Sequence, residues 1–515
     1  MRFNYRYRCT VICRILLIGI LVLCTGCARE DEEEITSFAQ LQHSRIGLIT
    51  GSIQADQAQK TFPEAEFYFF STRVDLLNAL KADKIDAYAD AWALSEYMLS
   101  TEPEVRVLEE HLSTIVDVAP IFPRTEEGIK LGEQFSEFIR RINETGETDK
   151  MHDLWFGSDE SLKVIPDLST LSAKNGTLTV ATDATNPPFV YVKDGRPMGY
   201  DIDMAYRFCR EYGYGLDIIM MDFSGVLPAI IAGKCDFATG GIAKTPEREE
   251  SVYYAETTYV SYSIVVVRGE RSSITPGFFE SLSDSFTKTF LREGRWKLFV
   301  KGIANTVLIT LLSVLFGTIL GFAVYLACRS GSALTNKITA AAIWIIQGFP
   351  VVVLLMILYY IIFGSIGVSG LFVAVVCFTL IFGTAMFGML KAGERAVDKG
   401  QKEAAMALGY TERRTFFRII LPQAAIHFMP AYRTQVTSLL KATAVVGYIA
   451  VQDLTRMGDI VRSRTYEAFF PLIAVSLIYF VLSAVFSRLI SRASRYLDPA
   501  RRSPQQILKG VKRND

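Results

Sequence analysis

Apolar and polar residues are distributed differently in the two halves of the chain. Residues 28–297 mix charged and apolar residues at short intervals, as a folded soluble domain does, whereas residues 302–490 contain long uncharged apolar stretches. About 20 consecutive apolar residues are enough for a helix to cross roughly 30 Å of hydrocarbon. The pattern therefore predicts a soluble half followed by a membrane half.

The soluble half alternates short apolar runs with segments of helical period. Residues 46–49 predict a strand and residues 74–80 a helix, and the same order begins again with a strand at residues 178–181. Alternation of this kind is typical of α/β domains. Two successive α/β blocks are predicted, over residues 36–157 and 176–269.

The membrane half is predicted to be all α-helical and to cross the membrane five times. The predicted spans are residues 302–328, 341–363, 368–390, 422–450 and 469–487. With the soluble half outside, five crossings put the basic C-terminal tail in the cytoplasm, in agreement with the positive-inside rule. Arg456, Arg462 and Arg464 oppose that rule, because they fall on the predicted outer side.

The first 27 residues have the layout of a bacterial export signal. Four arginines precede the apolar run 15–24, and small residues stand directly before Cys27. This segment resembles the site at which bacterial lipoproteins are cleaved and acylated, which makes Cys27 a candidate for lipidation. Cys24 stands where that site usually has Leu, so an uncleaved signal anchor is the alternative.

Composition narrows the function further. The 54 basic and 54 acidic residues cancel, which gives no electrostatic basis for binding nucleic acid. With four histidines, and with its CxxC pair, Cys24 and Cys27, lying inside the predicted export signal, the sequence lacks the spacing of a metal site. It also lacks a P-loop, so we expect no ATP hydrolysis by this chain and no cofactor bound to it.

Motifs after residue 178 closely resemble the first lobe of periplasmic solute-binding proteins for polar amino acids. They are Pro188-Phe189, Gly199-Tyr200-Asp201-Ile202-Asp203, Phe223-Ser224-Gly225 and Thr245-Pro246-Glu247-Arg248. Residues 36–157 resemble the second lobe of the same family. The resemblance implies a two-lobed α/β periplasmic-binding-protein-like domain of type II.

The order of the two lobes is reversed relative to this family. We expect one complete, circularly permuted domain, and the alternative is the remnant of two tandem domains that each lost a half. Permutation cuts the usual strand between the lobes and leaves its ends near Thr36 and Arg268. Both ends lead to the membrane.

The resemblance also supplies candidate residues for an amino acid ligand, which needs an anion for its ammonium, donors for its carboxylate and an apolar wall. By resemblance, Arg248 clamps the ligand carboxylate, Asp183 faces the ligand and Phe223 forms the wall. Backbone N–H groups expected to complete the carboxylate site lie around Thr50, Ser52, Gly240 and Gly241.

Three positions depart from the family pattern. Asn186 stands where an aromatic residue is usual, and Ala243 stands where a ligand-contacting Ser or Thr is usual. Asp90 is the candidate partner of the ligand ammonium, but it comes one residue earlier than expected. If Asp90 cannot reach the ligand, the ligand is not a standard α-amino acid.

Residues 298–500 resemble polar amino acid permeases of ABC importers, joined to the soluble half by a linker at 270–297. The loop between the third and fourth predicted spans carries Glu403-Ala404-Ala405 and Gly409, followed by Leu421-Pro422. In this family the Glu-Ala-Ala helix docks into a cytoplasmic ATPase. Gly409 is predicted to end that helix with a left-handed residue.

The combined expectation is the permease subunit of an ATP-driven amino acid importer in the bacterial inner membrane, with its own extracytoplasmic solute-binding domain. The expected partners are an ABC ATPase dimer, a second permease copy in a homodimer or heterodimer, and a small polar solute. Two alternatives are a ligand-gated channel or receptor, and a permease whose degenerate binding domain only docks a separate solute-binding protein.

Overall fold

A computed structural model describes residues 34–497, apart from 51, 71, 93–94, 96–101, 103, 113–115, 158, 270–277, 365 and 468. The predicted signal segment, the candidate lipidation residue Cys27 and the basic tail after residue 497 lie outside the described residues. The described part consists of a two-lobed α/β unit followed by a helical half.

One lobe of the α/β unit, which we call the β1–β4 lobe, is built on a five-stranded sheet with the order β2-β1-β3-β15-β4. β1 runs parallel to β2 and β3, whereas β15 is antiparallel to both of its neighbours. The side chains of Ser52 and Thr72 cap the N-termini of the two α-helices that the structure describes in this lobe. Its elements are β1 (Arg45–Ile49), α1 (Ile53–Thr61), β2 (Glu66–Phe70), α2 (Arg73–Lys81), β3 (Ala87–Ala91), β4 (Val105–His111) and β15 (Ser263–Arg268).

The other lobe has a five-stranded sheet with the order β11-β7-β12-β6-β13. Its strands and helices, with the small strands around them, are β5 (Val116–Val118), β6 (Ile121–Pro123), α3 (Glu126–Glu144), α4 (Glu147–Phe156), β7 (Thr177–Thr182), β8 (Thr185–Asn186), β9 (Val190–Lys193), β10 (Arg196–Met198), α5 (Tyr200–Tyr212), β11 (Gly215–Met220), α6 (Phe223–Ile231), β12 (Phe237–Ala238), α7 (Pro246–Glu249), β13 (Val252–Tyr254) and β14 (Tyr259–Ser261).

The two lobes exchange chain segments. β6 and α3 follow the β1–β4 lobe in sequence but belong to the other lobe. There the centroid of the Phe135 ring lies 4.5 Å from that of Phe208 and 5.6 Å from that of Phe237. β15 makes the reverse exchange. The sequence block 36–157 therefore does not form one lobe by itself, because residues 116–156 pack against the second block.

Both ends of the α/β unit lie on the β1–β4 lobe. The Ile35 carbonyl accepts a hydrogen bond of 2.6 Å from Arg106 in β4, and Arg106 is the strand partner of Val267 in β15. The chain thus enters and leaves this unit at neighbouring positions of one lobe.

Among the described residues, the helical half contains three helices that are long and apolar enough to span a membrane, or up to five spans if each of two bent helix pairs counts as one. The three are Trp296–Ser330, Gly370–Ala396 and Phe470–Ser494. The helices are α8 (Phe278–Phe286), α9 (Trp296–Ser330), α10 (Ala333–Gly348), α11 (Val351–Met356), α12 (Gly370–Ala396), α13 (Lys399–Ala407), α14 (Glu412–Thr415), α15 (Leu421–Ala442), α16 (Leu454–Thr465) and α17 (Phe469–Leu497).

The second predicted span is not one straight helix. The chain bends by 107° between α10 and the segment Val351–Ile362. Pro350 explains the break, because proline lacks an N–H group and disfavours helical backbone at the residue before it. The fourth predicted span ends in a 3₁₀ segment, Thr443–Ile449, and a second bend of 58° leads into α16.

The two halves of the protein contact each other closely. The Tyr360 hydroxyl donates to the Gly225 carbonyl at 3.1 Å, and Lys234 donates to the Ile366 carbonyl at 2.8 Å. A Cβ added to Gly447 would lie 2.6 Å from a carboxylate oxygen of Asp222, so a larger residue at this position would force the carboxylate to move.

Candidate functional site

The predicted solute residues of the β7–β11 lobe lie at one edge of its sheet. β7 runs parallel to β11 and β12, and Asp183, Asp222 and Gly240 follow the carboxyl ends of these three strands. In open α/β sheets, ligands bind outside the carboxyl ends of the strands. The topology therefore places Asp183 and Gly240, which the sequence predicts as solute residues, at the same sheet edge as Asp222, which it does not.

Helix α16 of the helical half lies between the two lobes. It contacts α2 of one lobe and β8 and β9 of the other. Its apolar residues Met457, Ile460 and Val461 are buried in a core that includes Phe189 and Val190 of the α/β unit. We call the space between the lobes, lined by Asp90, Asp183, Asn186 and Asp222, the cleft.

Arg456 of α16 binds the acidic residues of the cleft. Its Nη2 lies 2.5 Å from Asp183 Oδ1 and its Nη1 lies 2.8 Å from Asp222 Oδ1. Nη2 also donates to the Met221 carbonyl at 2.7 Å. Arg456 is only 5% exposed, so these charge-assisted bonds are shielded from water. The carboxylate predicted to face a ligand thus faces a side chain of the membrane half.

Arg73 connects the two lobes across the cleft. Its Nε donates to both carboxylate oxygens of Asp90, at 2.9 and 3.0 Å, and its Nη1 donates to Asn186 Oδ1 at 2.6 Å. Asp90 is 2% exposed and also accepts from the Ser95 hydroxyl. Two residues predicted to contact the solute from opposite lobes are therefore joined through one guanidinium.

The backbone N–H groups of Gly240 and Gly241 are used inside the lobe. They donate to Asp201 Oδ2 at 2.7 and 3.1 Å, and the Thr239 hydroxyl donates to the same oxygen. Burial raises the pKa of Asp201 to about 6, although these three hydrogen bonds oppose the shift. The expectation that the two glycines bind a ligand carboxylate is corrected here, because Asp201 takes their hydrogen bonds.

Arg248 and Phe223 lie near each other, as the resemblance implies for a carboxylate clamp and an aromatic wall. The Arg248 guanidinium carbon lies 5.9 Å from the centroid of the Phe223 ring. Arg248 Nη1 donates to the carbonyl of Ala243 at 3.0 Å. Ala243, which stands where the family usually has Ser or Thr, thus binds Arg248 through its backbone carbonyl.

Thr50 and Ser52 lie in the loop after β1, at the same sheet edge as Asp90. The Thr50 N–H donates to the Phe70 carbonyl at 3.0 Å, and the Ser52 hydroxyl caps α1. Both residues therefore hold the loop in place.

Two further arginines of α16 bind acidic residues of the α/β unit. Arg462 pairs with Asp75 of α2. Arg464 lies 2.7 Å from Glu160 and 4.5 Å from the centroid of the Tyr191 ring. Burial alone would raise the pKa of Glu160, but Arg464 and Lys163 together lower it to about 2. The three arginines that opposed the positive-inside rule all have acidic partners in the other half.

Sequence reasoning missed three residues of the cleft, Arg73, Asp222 and Arg456, and it quoted Asp201 only as part of a motif, without a role. One signal was available, because three arginines in a short outer segment of a membrane protein require an explanation. The others gave no such signal. Arg456 and Asp183 are 273 positions apart, and nothing in the local sequence around either residue specifies the other.

The Glu403-Ala404-Ala405 segment lies on α13, at the opposite end of the helical half. Glu403 and Ala404 are exposed and Ala405 is buried. Gly409 has a φ of +83°, and the Tyr410 N–H donates to the Ala405 carbonyl while the Gly409 N–H donates to the Met406 carbonyl. This is a Schellman cap, which confirms the predicted left-handed conformation of Gly409.

Comparison with known proteins identifies both halves. The family described as bacterial extracellular solute-binding proteins, family 3, matches residues 178–443. The L-cystine transport system permease protein TcyL of Bacillus subtilis (strain 168) is 31% identical over 189 residues, which cover 35% of this chain and 79% of that protein. The arginine transport system permease protein ArtQ of the same organism is 32% identical over 190 residues, with 36% and 87% covered.

A solved structure of an amino acid ABC transporter is also similar. The sequence identity is 30%, and the similarity covers 43% of this chain and 100% of that chain, with a TM-score of 0.37. On the family and permease matches, the chain belongs to the bacterial extracellular solute-binding proteins, family 3, fused in one polypeptide to a transport system permease.

Proposed function

We propose that this chain captures an amino acid with its α/β unit and passes it through its helical half, driven by ATP hydrolysis on a separate ATPase. The observation that carries this proposal is α16, a permease helix that reaches the predicted solute residues of the binding unit. Its relatives include permeases named for L-cystine and arginine, which favours an amino acid as the solute.

We further propose that the binding unit is one circularly permuted domain. α4 and β7 both belong to the β7–β11 lobe, and residues 157–176 join them, as expected if old chain ends had been linked. The new ends, near Ile35 and Arg268, lie side by side on the other lobe. Two tandem domains that each lost a half would have no reason to exchange β6 and β15 so completely.

A five-span arrangement with an extracytoplasmic binding domain and a cytoplasmic C-terminus is part of the proposal. The turn after residue 362, the 3₁₀ segment Thr443–Ile449 and α16 all contact the binding unit, so they belong to one side of the membrane. α13 belongs to the opposite side. This arrangement requires each bent helix pair to serve as one crossing.

The proposed ATPase contact is the surface of α13 and its cap. Met406, Leu408 and Tyr410 are exposed there, and Leu408 is 79% exposed, which is unusual for a large apolar side chain in water. The exposed Glu403 and Ala404 extend the same surface. An ABC ATPase dimer that covers this surface would explain both the apolar exposure and the absence of a P-loop from the sequence.

A second permease copy is proposed to pack against α15, in a homodimer or a heterodimer. Four polar residues follow one another along this helix at helical spacing and are all exposed in the single chain: His427, Thr434, Ser438 and Lys441. Polar groups in membrane helices face other helices or a water-filled path rather than lipid. A path between two copies would satisfy this polar face.

The channel alternative loses support, because the helical half matches permeases. The docking-tether alternative is favoured by one observation. Asp183, Asp90 and Asn186 are all bound by arginines of the chain itself, and Gly240 and Gly241 are bound by Asp201. A measurement of ligand binding distinguishes the two cases. If the arginines leave when a ligand arrives, the site is functional, and if no ligand binds, the site is degenerate.

The test is a thermal-shift screen of the purified full-length chain in detergent against the twenty amino acids. The screen includes Arg248→Ala, Arg456→Gln and the control Arg196→Ala, whose side chain is 73% exposed on β10. We expect a stabilising amino acid whose effect survives in Arg196→Ala and is lost in Arg248→Ala. No shift with any amino acid, in the wild type or in Arg456→Gln, would instead support the docking tether.

A further inference from the structure

We propose that α16 is a built-in competitor of the solute, with Arg456 occupying the position of a cationic group of that solute whenever the binding unit is seated on the permease. The inference rests on the proposed function and adds to it a class of solute and a mechanism of release.

The acidic pair of the cleft accepts one cation at a time. Asp183 and Asp222 follow neighbouring parallel strands. The Arg456 guanidinium bonds to both carboxylates and to the carbonyl of Met221, the residue before Asp222. Because the site is buried, water does not screen a second positive charge there. A solute cation can take this position only when Arg456 has left it.

The site does not satisfy Arg456 completely. Its Nε atom is buried and has no hydrogen-bond partner among the described residues. A buried donor without a partner weakens an interaction. α16 is also not an element of the lobe that it fills, since it is joined covalently to the permease helices on both sides. These features fit an occupant that leaves when the binding unit separates from the membrane half.

The charge of the acidic pair defines the solute class. When α16 leaves, Asp183 and Asp222 lose their cation and leave two negative charges in the cleft, so a ligand with a positive charge beyond its backbone carboxylate and ammonium pair is favoured over a neutral one. A basic amino acid with a guanidinium or ammonium side chain meets this requirement, whereas an acidic one is repelled. By linkage, docking lowers solute affinity by the same factor by which solute weakens docking.

The first measurement is equilibrium binding of radiolabelled L-arginine and L-glutamate to the full-length chain in detergent. We expect Arg456→Gln to bind L-arginine at least about tenfold more tightly than the wild type, within the usual range of coupling between sites. The matched control is Arg464→Gln, which removes a charge of the same helix that pairs with Glu160 and does not contact the acidic pair. Its gain should be much smaller.

Unchanged L-arginine affinity in Arg456→Gln would overturn the proposal, and so would an equal gain in both variants, since that would make α16 a steric block without a role for the Arg456 charge. A gain for L-glutamate equal to that for L-arginine would overturn the solute class. If no amino acid binds to any variant, the proposed function itself fails, which is a different outcome from binding without competition.

A second measurement uses the wild type alone and does not depend on how a variant folds. Hydrogen–deuterium exchange follows the amides of residues 454–465 with and without saturating L-arginine. We expect L-arginine, but not L-glutamate, to speed exchange in α16 as the helix leaves the cleft. Faster exchange with neither ligand, although L-arginine binds, would show that solute and α16 occupy the cleft together and would overturn the competition.

Discussion

The two ends of the helical half use their basic residues in opposite ways. At the inner end, Lys399, Arg413 and Arg418 are exposed around α13. At the outer end, Arg456 and Arg462 are buried and paired with acidic residues of the binding unit. Counting charges near membrane spans treats both groups alike. The two groups of basic residues differ in their surroundings. Water surrounds those at the inner end, whereas acidic side chains of the protein surround those at the outer end.

The difference has an energetic consequence. An exposed charge loses little when its neighbours change, because water replaces them. A buried charge has no such replacement, so removal of its partner is costly. Substitutions at the outer end should therefore have large effects on stability and on solute binding, whereas those at the inner end should act mainly through the contact with the ATPase.

The largest effect is expected for Asp183→Ala. It leaves the buried Arg456 with Asp222 as its remaining carboxylate partner and should destabilise the full chain by about 3 kcal/mol, the lower end of the range for breaking a buried pair. Differential scanning fluorimetry of the detergent-solubilised protein measures the change in Tm.

The control for this prediction is Asp217→Ala, which removes an exposed carboxylate from the neighbouring strand β11. Its effect should stay within about 0.5 kcal/mol. The double variant Asp183→Ala with Arg456→Ala should recover much of the loss, since the buried charge is then gone. A loss of equal size for both aspartates would contradict the role given to the buried pair.

A somewhat smaller effect is expected for Gly447→Ala at the contact between the permease and the binding unit. The new Cβ would lie 2.6 Å from Asp222 Oδ2, so the carboxylate that binds Arg456 must move. Overpacking of this kind costs about 1–3 kcal/mol. Gly388→Ala is the matched control, because no atom lies within 4 Å of its added Cβ. Equal Tm values for the two variants would argue against a tight contact.

Much of this architecture could be predicted from the sequence, and the parts that could not have physical reasons. The α/β lobes and the helix cap at Gly409 follow from local patterns. The break at Pro350 was also visible locally, but the apolar composition on both sides favoured one continuous span. The insertion of α16 was not predictable, since its three arginines indicate that this helix of twelve residues needs an explanation but do not specify the acidic residues that bind them.

The candidate site shows the same division. The strand order brings Asp183 and Asp90 to the cleft, where arginines of the chain bind both of them. What occupies them depends on contacts between distant segments, such as Arg73 with Asn186 across 113 positions. Gly240 shows a third case: the motif places it correctly, yet its N–H group serves Asp201.

A modest effect is expected at the inner end for Gly409→Ala. The φ of +83° is unfavourable for any residue with a Cβ, which costs about 1 kcal/mol. The Schellman cap should loosen without affecting the cleft, so L-arginine binding stays unchanged while copurification with the ATPase falls. Ala407→Gly, an exposed substitution within the same helix, tests whether helix stability alone explains the result. Reduced solute binding in Gly409→Ala would contradict the separation of the two ends.

The smallest effect is a pH dependence at Glu160, which is partly exposed and therefore partly screened by solvent. Arg464 and Lys163 outweigh burial and lower the pKa of Glu160 from its ordinary value of 4.5 to about 2 in the folded protein. Its contribution is thus fully present above about pH 4.5 and is lost as pH falls toward 2.

The Tm of the wild type should therefore exceed that of Glu160→Gln by a constant amount from pH 7 to 5, and the difference should shrink as the pH is lowered further. Glu247→Gln, which changes an exposed residue of α7, should show no such trend. If the Tm difference between wild type and Glu160→Gln instead grew on acidification, Arg464 would not hold Glu160. The basic residue Arg464 would then behave like the exposed basic residues of the inner end.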